Sequence, residues 1–381
     1  MSLLTRLIEL KKIRDPYRPL IEIKIFRDNL LFNLHACQAA APKLQLAPVL
    51  KSNAYGHGLV EVARILRGQR LPFCVIDSLF EARVLRHGGI RHPLLIIGYT
   101  ATDNIISHRL NNIAFTITSL DQLREIAAKL TRHSRFHLKF DTGMRRQGLM
   151  PDQLAEAARL AKNNPNIIVE GICSHLSDAD GESEEYTKKQ IALWNSLAGR
   201  AQSLFGELPY RHLANTAGLA FQNGINANVG RLGLGLYGFT TSPRPANAQL
   251  LPALAMESVV TSIRPLKARE SIGYNKTFTA PRDMLVATVP AGYAEGIDRR
   301  LSNTGAMMIG GAPCPIIGRV SMNITSIDVS NVAGATLGQK VTLISENPQH
   351  PNSVAGIAKL CNTIPYEILV HIPGYLRRLA V

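Results

Sequence analysis

From about residue 20 to residue 240, short apolar runs alternate with helix-like segments, and this alternation constrains the fold more than any other feature. The runs are Leu46–Leu50, Phe73–Ile76, Leu94–Ile97, Ile113–Ile117, Phe136–Phe140, Ile167–Cys173, Tyr210–Leu213 and Val229–Tyr237. Between them, apolar residues recur at three- and four-residue spacing, as in Val60, Val62-Ala63, Ile65-Leu66 and in Leu154, Ala157-Ala158, Leu160-Ala161. That spacing draws one apolar stripe along a helix. Ser78-Leu79-Phe80-Glu81 and Ser119-Leu120-Asp121-Gln122 follow strands directly and read as capping boxes. Eight strands alternating with helices predict an α/β fold, a (β/α)8 TIM-like barrel. A doubly wound sheet produces the same alternation and is the structural alternative.

Past residue 250 the pattern changes. Ser258–Ile263, Met284–Val289, Ala306–Ile309, Pro315–Met322, Ser326–Val329 and Lys340–Ile344 read as strands separated by Gly, Pro and Asn turns, with Val354–Leu360 as the one clear helix. The expected division is a barrel over 20–250 and a mostly β C-terminal domain over 251–381, with residues 1–19 as an N-terminal extension.

Composition narrows the class. Hydrophobic residues are 46% and charged residues 19%, as in a folded globular chain. The net charge of +15 invites a nucleic-acid reading, but the cations are dispersed and no zinc-finger or RNA-recognition spacing accompanies them. Five separated cysteines without a CxxC pair argue for small buried residues in a reducing compartment rather than disulfides or zinc. Residues 1–19 lack the apolar core of a secretion signal, and no run approaches the ~18 apolar residues of a membrane span, so the cytoplasm is the expected location.

A barrel carries its chemistry at the C-terminal ends of its strands, and unusual residues collect there. Lys51 ends the first run, followed by Ser52-Asn53-Ala54-Tyr55-Gly56-His57-Gly58. A lysine there is ordinarily a solvated strand end, but a desolvated one loses its proton and forms a Schiff base with an aldehyde. Phe136–Phe140 carries His137 and Lys139 and leads into Asp141-Thr142-Gly143-Met144-Arg145-Arg146-Gln147-Gly148. Lys139 within an apolar strand is unusual, and surface exposure on an edge strand is the plain account. His175 after Cys173-Ser174 is, taken alone, a structural histidine. Asn215-Thr216 and Gly230-Arg231-Leu232-Gly233-Leu234-Gly235 follow; clustered glycines expose backbone N–H groups that suit a phosphate. In the β region, Gly273-Tyr274 and Gly292-Tyr293-Ala294-Glu295-Gly296 pair tyrosine with glycine, as simple turns also do.

Taken in order, these segments resemble the alanine racemase family of fold-type III pyridoxal-phosphate (PLP) enzymes. Val49 to Gly58 is similar to the family's PLP-lysine motif and Lys139 to Gly148 to its second barrel motif. His175, Asn215-Thr216, Gly230 to Gly233, Gly273-Tyr274, Gly292 to Gly296 and Gly318-Arg319-Val320-Ser321-Met322 follow in family order. The resemblance implies PLP as cofactor, alanine as the favoured substrate, and a head-to-tail homodimer whose β domains complete each other's sites. It implies that Lys51 bonds the cofactor, with Tyr55, Thr216, Gly233 and Leu234 at its phosphate and Asn215 also among the cofactor-binding residues. Arg146 would meet the pyridine hydroxyl side and the substrate carboxylate, and Arg231 the pyridine nitrogen. His175 would orient Tyr274 of the other subunit, and Met322 would offer its backbone N–H to the substrate. In the family the lysine matching Lys139 is often carbamylated. Tyr375, one residue out of register, matches a C-terminal tyrosine that touches the phosphate.

Racemisation by this reading uses two bases, Lys51 and Tyr274, on opposite faces of the substrate carbon. Ser321-Met322-Asn323-Ile324 departs from the family's Cys-Met-Asp-Gln, which opens a broad-specificity or serine-type racemase as a second reading. A decarboxylase of the same fold is disfavoured by Arg231, which cannot accept the pyridine proton. A non-catalytic PLP carrier would lack the β domain. If the substrate is alanine, the product D-alanine fits peptidoglycan synthesis.

Overall fold

The computed structural model describes residues 18–240 and 249–381, so the N-terminal extension expected over 1–19 lies almost wholly outside the described residues. After β1 (Glu22–Ile25), all eight expected barrel strands form: β2 (Gln45–Pro48), β3 (Cys74–Ile76), β4 (Leu94–Ile96), β5 (Ile113–Ile117), β6 (Ser134–Lys139), β7 (Ile167–Cys173), β8 (Tyr210–His212) and β9 (Val229–Leu232). They are parallel and ordered β2-β9-β8-β7-β6-β5-β4-β3. A doubly wound sheet would leave its first strand and its last apart. Here β2 pairs with β9, Gln45 opposite Val229, and Val49 bridges Val75 to join β2 to β3. The Leu50 N–H donates to the Val75 carbonyl at 2.7 Å across that seam. The sheet is a barrel.

The helices bury the stripe that spacing predicts in Leu154–Asn163 and part of the one in Leu59–Ile65, where Val60 and Ile65 are only half-buried. Helix Leu154–Asn163 covers Leu154, Ala157, Ala158, Leu160 and Ala161. Helix Leu59–Ile65 buries Leu59, Val62 and Ala63. Each large aliphatic side chain so covered contributes about 1.5–3 kcal/mol. The two capping serines work as expected: Ser78 Oγ accepts the Glu81 N–H and Ser119 Oγ accepts the Gln122 N–H, both at 3.2 Å. The reciprocal halves of the boxes are missing, because Gln122 donates to the Thr100 carbonyl and Glu81 is engaged elsewhere.

The run Val229–Tyr237 is not one strand. It stops at Leu232 because Thr216 Oγ1 takes the N–H groups of Gly233 and Gly235, and Leu234–Tyr237 then forms a 3-10 turn. Pro315–Met322 is also corrected: β16 is Ala312–Pro315, and Gly318 at φ 73° turns the chain. Ser258–Ile263 divides into β10 (Leu254–Val259) and β11 (Ser262–Leu266), since the chain changes sheets at Val260-Thr261.

The chain forms two compact units. The barrel unit holds residues 25–254, 346–374 and 380–381; it therefore includes helix Val354–Leu360 and a second helix, Pro365–Val370, that the sequence reading did not anticipate. The C-terminal unit holds the described residues before 25, together with 255–345 and 375–379. It contains β12 (Ser271–Ile272), β13 (Phe278–Thr279), β14 (Met284–Val289), β15 (Ala306–Ile309), β16, β17 (Thr325–Asp328), β18 (Lys340–Ile344) and most of β19 (Arg377–Ala380). Its sheets run β16-β15-β18-β10-β1-β19 and β11-β14-β17, and β12 with β13 is a hairpin. Ala280, Met284, Val286 and Ile317 form one of its apolar clusters. All five cysteines are free and buried, and burial pushes the Cys37 and Cys314 thiols up to about 11. Among the described residues no helix is long and apolar enough to cross a membrane.

Candidate active site

The C-terminal strand ends surround a cavity of about 600 Å³, lined by residues of the barrel unit alone. Lys51, Tyr55, Lys139, Arg146, His175, Asn215, Thr216, Arg231 and Gly233 all face it. Strand alternation explains the set: on β6, His137 and Lys139 point inward two residues apart. The edge-strand account of Lys139 is therefore wrong; β6 is flanked by β5 and β7, and Lys139 is 8% exposed.

Lys51 is presented by an unusual loop. Ser52, Asn53, Ala54 and Tyr55 are all left-handed, with φ of 55°, 56°, 52° and 50°. Non-glycine residues visit that region singly, at roughly 1–2 kcal/mol each, and four in a row need external support. Glu81 supplies it: one carboxylate oxygen accepts the Ser52 N–H and the other the Asp77 N–H, both at 2.7 Å. Asn53 Oδ1 accepts the Leu59 N–H at 2.9 Å. Gly56, at φ 78°, lets the loop press on the Leu369 carbonyl, which a Cβ would meet at 2.0 Å. Among the described residues the Lys51 amine has no hydrogen bond or ion pair.

Arg231 is nearly fully buried and organises the floor. Its Nη1 donates to Nδ1 and the carbonyl of His212, at 2.8 and 3.0 Å. Its Nη2 donates to the carbonyls of Ser174 and Leu213 and to Nδ1 of His175, at 2.8, 3.1 and 3.0 Å. Among the described residues the Nε–H keeps no protein partner. His175 is held well below the usual imidazole range by burial and then by Arg231, Arg146, Lys139 and Lys51. Burial also lowers Lys139, with Arg146 and Arg231 pushing the same way against Cys173.

At another part of the wall, Tyr55 lies beside Gly233, where a Cβ would sit 3.1 Å from its hydroxyl. The Gly233 N–H is already engaged by Thr216, whereas the Leu234 N–H has no partner among the described residues. Asn215 Oδ1 caps the Gly218 N–H, which makes it a support for the loop. Tyr366 lines the cavity with its ring centroid 5.7 Å from that of Tyr55. The sequence reading missed it; Ile364-Pro365-Tyr366 carries only the signal of a proline-started helix.

Tyr274, Met322 and Tyr375 are in the C-terminal unit and are 68%, 56% and 71% exposed. Tyr274 sits in the loop between β12 and β13. The Met322 carbonyl accepts the Ala294 N–H at 2.9 Å, while the Met322 N–H is unpartnered among the described residues. Tyr375 donates to the Ala294 carbonyl at 3.0 Å, so the C-terminal tyrosine on the cavity wall is Tyr366 and not Tyr375. Asn323 donates to the buried Glu295 at 2.7 Å.

Comparison with known proteins agrees with this arrangement. Residues 25–241 match the family profile of the alanine racemase N-terminal domain and residues 253–380 that of its C-terminal domain. The chain is 34% identical over 371 residues to the alanine racemase of Sorangium cellulosum, covering 94% of this chain and 97% of that one. It is 32% identical over 349 residues to the alanine racemase of Lactobacillus acidophilus, covering 89% and 91%. The crystal structure of alanine racemase from Bacillus anthracis with bound L-Ala-P superposes with a TM-score of 0.88 at 29% identity, covering 96% of each chain. On its sequence, its barrel and both of its domains, this chain belongs to the alanine racemase family.

Proposed function

We propose that the protein interconverts L- and D-alanine with PLP as cofactor, and that the observation carrying this is an unpartnered Lys51 amine and an unpartnered Arg231 Nε–H on the wall of one cavity. The cavity fits the cofactor by its chemistry. Lys51, Arg146 and Arg231 against Asp77 make it cationic, which suits a phosphate and a substrate carboxylate. Tyr55, Tyr366 and the free Leu234 N–H are the donors for the phosphate, and Gly233 leaves the room beside Tyr55.

When bound, PLP supplies an electron sink for the pair left on Cα after a proton is removed. Lys51 Nζ takes or returns that proton on one face. The Tyr274 phenol of a second copy, in a head-to-tail homodimer, serves the other; its exposure on the β12–β13 loop makes it available to a partner. His175 supports this phenol. Its Nδ1 accepts from Arg231, so its proton is on Nε2 and is offered as a donor. That N–H is a donor for the phenol oxygen, which it holds toward the substrate carbon. Arg231 cannot take a proton, so it leaves the pyridine nitrogen neutral and limits competing chemistry. Arg146 and the Met322 N–H hold the substrate carboxylate. Lys139, biased toward the neutral amine, adds carbon dioxide and releases a proton, and the resulting anion sits near Arg146 and Arg231.

The test is a panel of L-alanine, D-alanine, L-serine, L-lysine and L-arginine with purified protein and PLP, read by chiral chromatography. Interconversion of the two alanines is expected. Asn323 in place of the family's Asp favours some turnover of larger amino acids, and equal rates across the panel would replace the alanine reading by the broad-specificity one.

A further inference from the structure

Three polar side chains inside the barrel have no part in the reading above: His137 on β6, Glu170 on β7 and His212 on β8. Both imidazoles are fully buried. Arg231 fixes how they are protonated. A guanidinium has only donors, so His212 Nδ1, 2.8 Å from Nη1, accepts. The proton of the neutral ring is then on Nε2, which donates to Nδ1 of His137 at 2.7 Å. His137 in turn carries its proton on Nε2 and donates to Glu170 Oε1 at 3.3 Å. A carboxylate only accepts, so the two ends of the chain permit a single direction.

The strands are shaped around this chain of bonds. Phe136 pairs with Val169 but His137 with Gly171, which makes Glu170 the extra residue of a bulge. Bulges re-aim side chains. A Cβ on Gly171 would lie 2.7 Å from His137 Nδ1, so the glycine makes room for the ring. Phe73 meets that ring edge-on at 5.4 Å between centroids and Tyr210 stacks on it at 5.5 Å. Glu170 itself reaches a small cavity lined by Phe73, Asn112, Arg135 and Tyr210, and Arg135 lies 3.7 Å from its carboxylate. Burial lowers both histidines, which keeps them neutral, the state these bonds need.

We propose that Glu170 is a positioning residue: through His137 and His212 it fixes the imidazole orientation that Arg231 Nη1 requires, and so aims the free Nε–H at the ligand ring. The aim at a ring rests on the cofactor reading above; the relay does not. The test is nitrogen-15 NMR of histidine-labelled protein with bound PLP, together with the PLP dissociation constant. In wild type both rings should be Nε2–H tautomers. E170Q, whose amide oxygen still accepts, should keep that pattern and bind PLP within about twofold of wild type. E170A removes the acceptor of the His137 Nε2–H, and should shift that nitrogen's resonance and weaken PLP roughly tenfold, the scale of one hydrogen bond to a charged group. E170D, which withdraws the carboxylate from Nε2, is a milder variant with the same expected direction and serves if E170A does not fold. An Nδ1–H in either wild-type ring, or an unchanged His137 Nε2 resonance together with unchanged affinity in both E170A and E170D, would overturn the relay. Wild-type protein that shows the tautomers but binds no PLP would overturn the cofactor reading and leave the relay standing.

Discussion

Arg231 donates to Nδ1 of His175 at 3.0 Å, and this bond settles which nitrogen of His175 carries the proton. The same guanidinium reaches His212 and three carbonyls, so five acceptors depend on it. A lysine offers a point charge without the planar fork. Arg231→Lys should therefore lower kcat by at least about tenfold and destabilise the fold by roughly 3 kcal/mol through acceptors left unpaired in the core. Steady-state kinetics and urea unfolding read the two effects; wild-type values for both would show that the network is idle.

Glu81 joins two loops by accepting the Ser52 and Asp77 N–H groups at 2.7 Å each. Glu81→Ala leaves the left-handed turn after Lys51 without its external anchor. The expected loss is about 1–3 kcal/mol of stability, with slower and weaker uptake of PLP. Unaltered thermal unfolding and unaltered PLP titration would show that the turn holds itself.

Much of this was legible in the sequence, for identifiable reasons. Continuous apolar runs and period-3.6 apolar patterns report burial directly, so the eight barrel strands and the buried face of Leu154–Asn163 follow from the sequence. Strand ends set by side-chain hydrogen bonds do not: Thr216 stops β9 by capturing two glycine N–H groups from 17 and 19 residues away. Glu81 looked like half of a capping box, and its bond to Ser52 spans 29 residues that no local pattern connects. Tyr366 and Tyr375 both follow a glycine- or proline-marked turn, and only the fold distinguishes the one that lines the cavity.

Gly56 tests the packing of the 346–374 segment within the barrel unit. A Cβ there would meet the Leu369 carbonyl at 2.0 Å, at a φ of 78°. Gly56→Ala should cost about 3 kcal/mol or more, since backbone must move as well as strain be absorbed. A thermal midpoint within a degree or so of wild type would contradict this packing.

The buried histidines give acid sensitivity a sign. His137, His175 and His212 are all lowered, by burial first; Arg231 pushes each the same way, and Glu170 opposes it at His137. Below about pH 6.5 the unfolded chain takes protons that the native chain refuses. The stabilisation is complete above that pH and is lost as pH falls toward the native values. Each histidine adds up to about 1.4 kcal/mol per pH unit in that window. Urea unfolding of wild type and His137→Gln at several pH values should show a shallower decline in the variant; parallel curves would count against a neutral His137.

The amine of Lys51 is the group on which the proposed cofactor chemistry depends. Protein incubated with PLP and then treated with borohydride fixes a lysine-bound cofactor irreversibly, and peptide mass spectrometry locates it. The predicted result is one phosphopyridoxyl group per chain, on the peptide containing Lys51, with the visible absorbance of lysine-bound PLP missing in Lys51→Ala. Label on Lys139, label scattered over surface lysines, or unchanged absorbance in Lys51→Ala would contradict it.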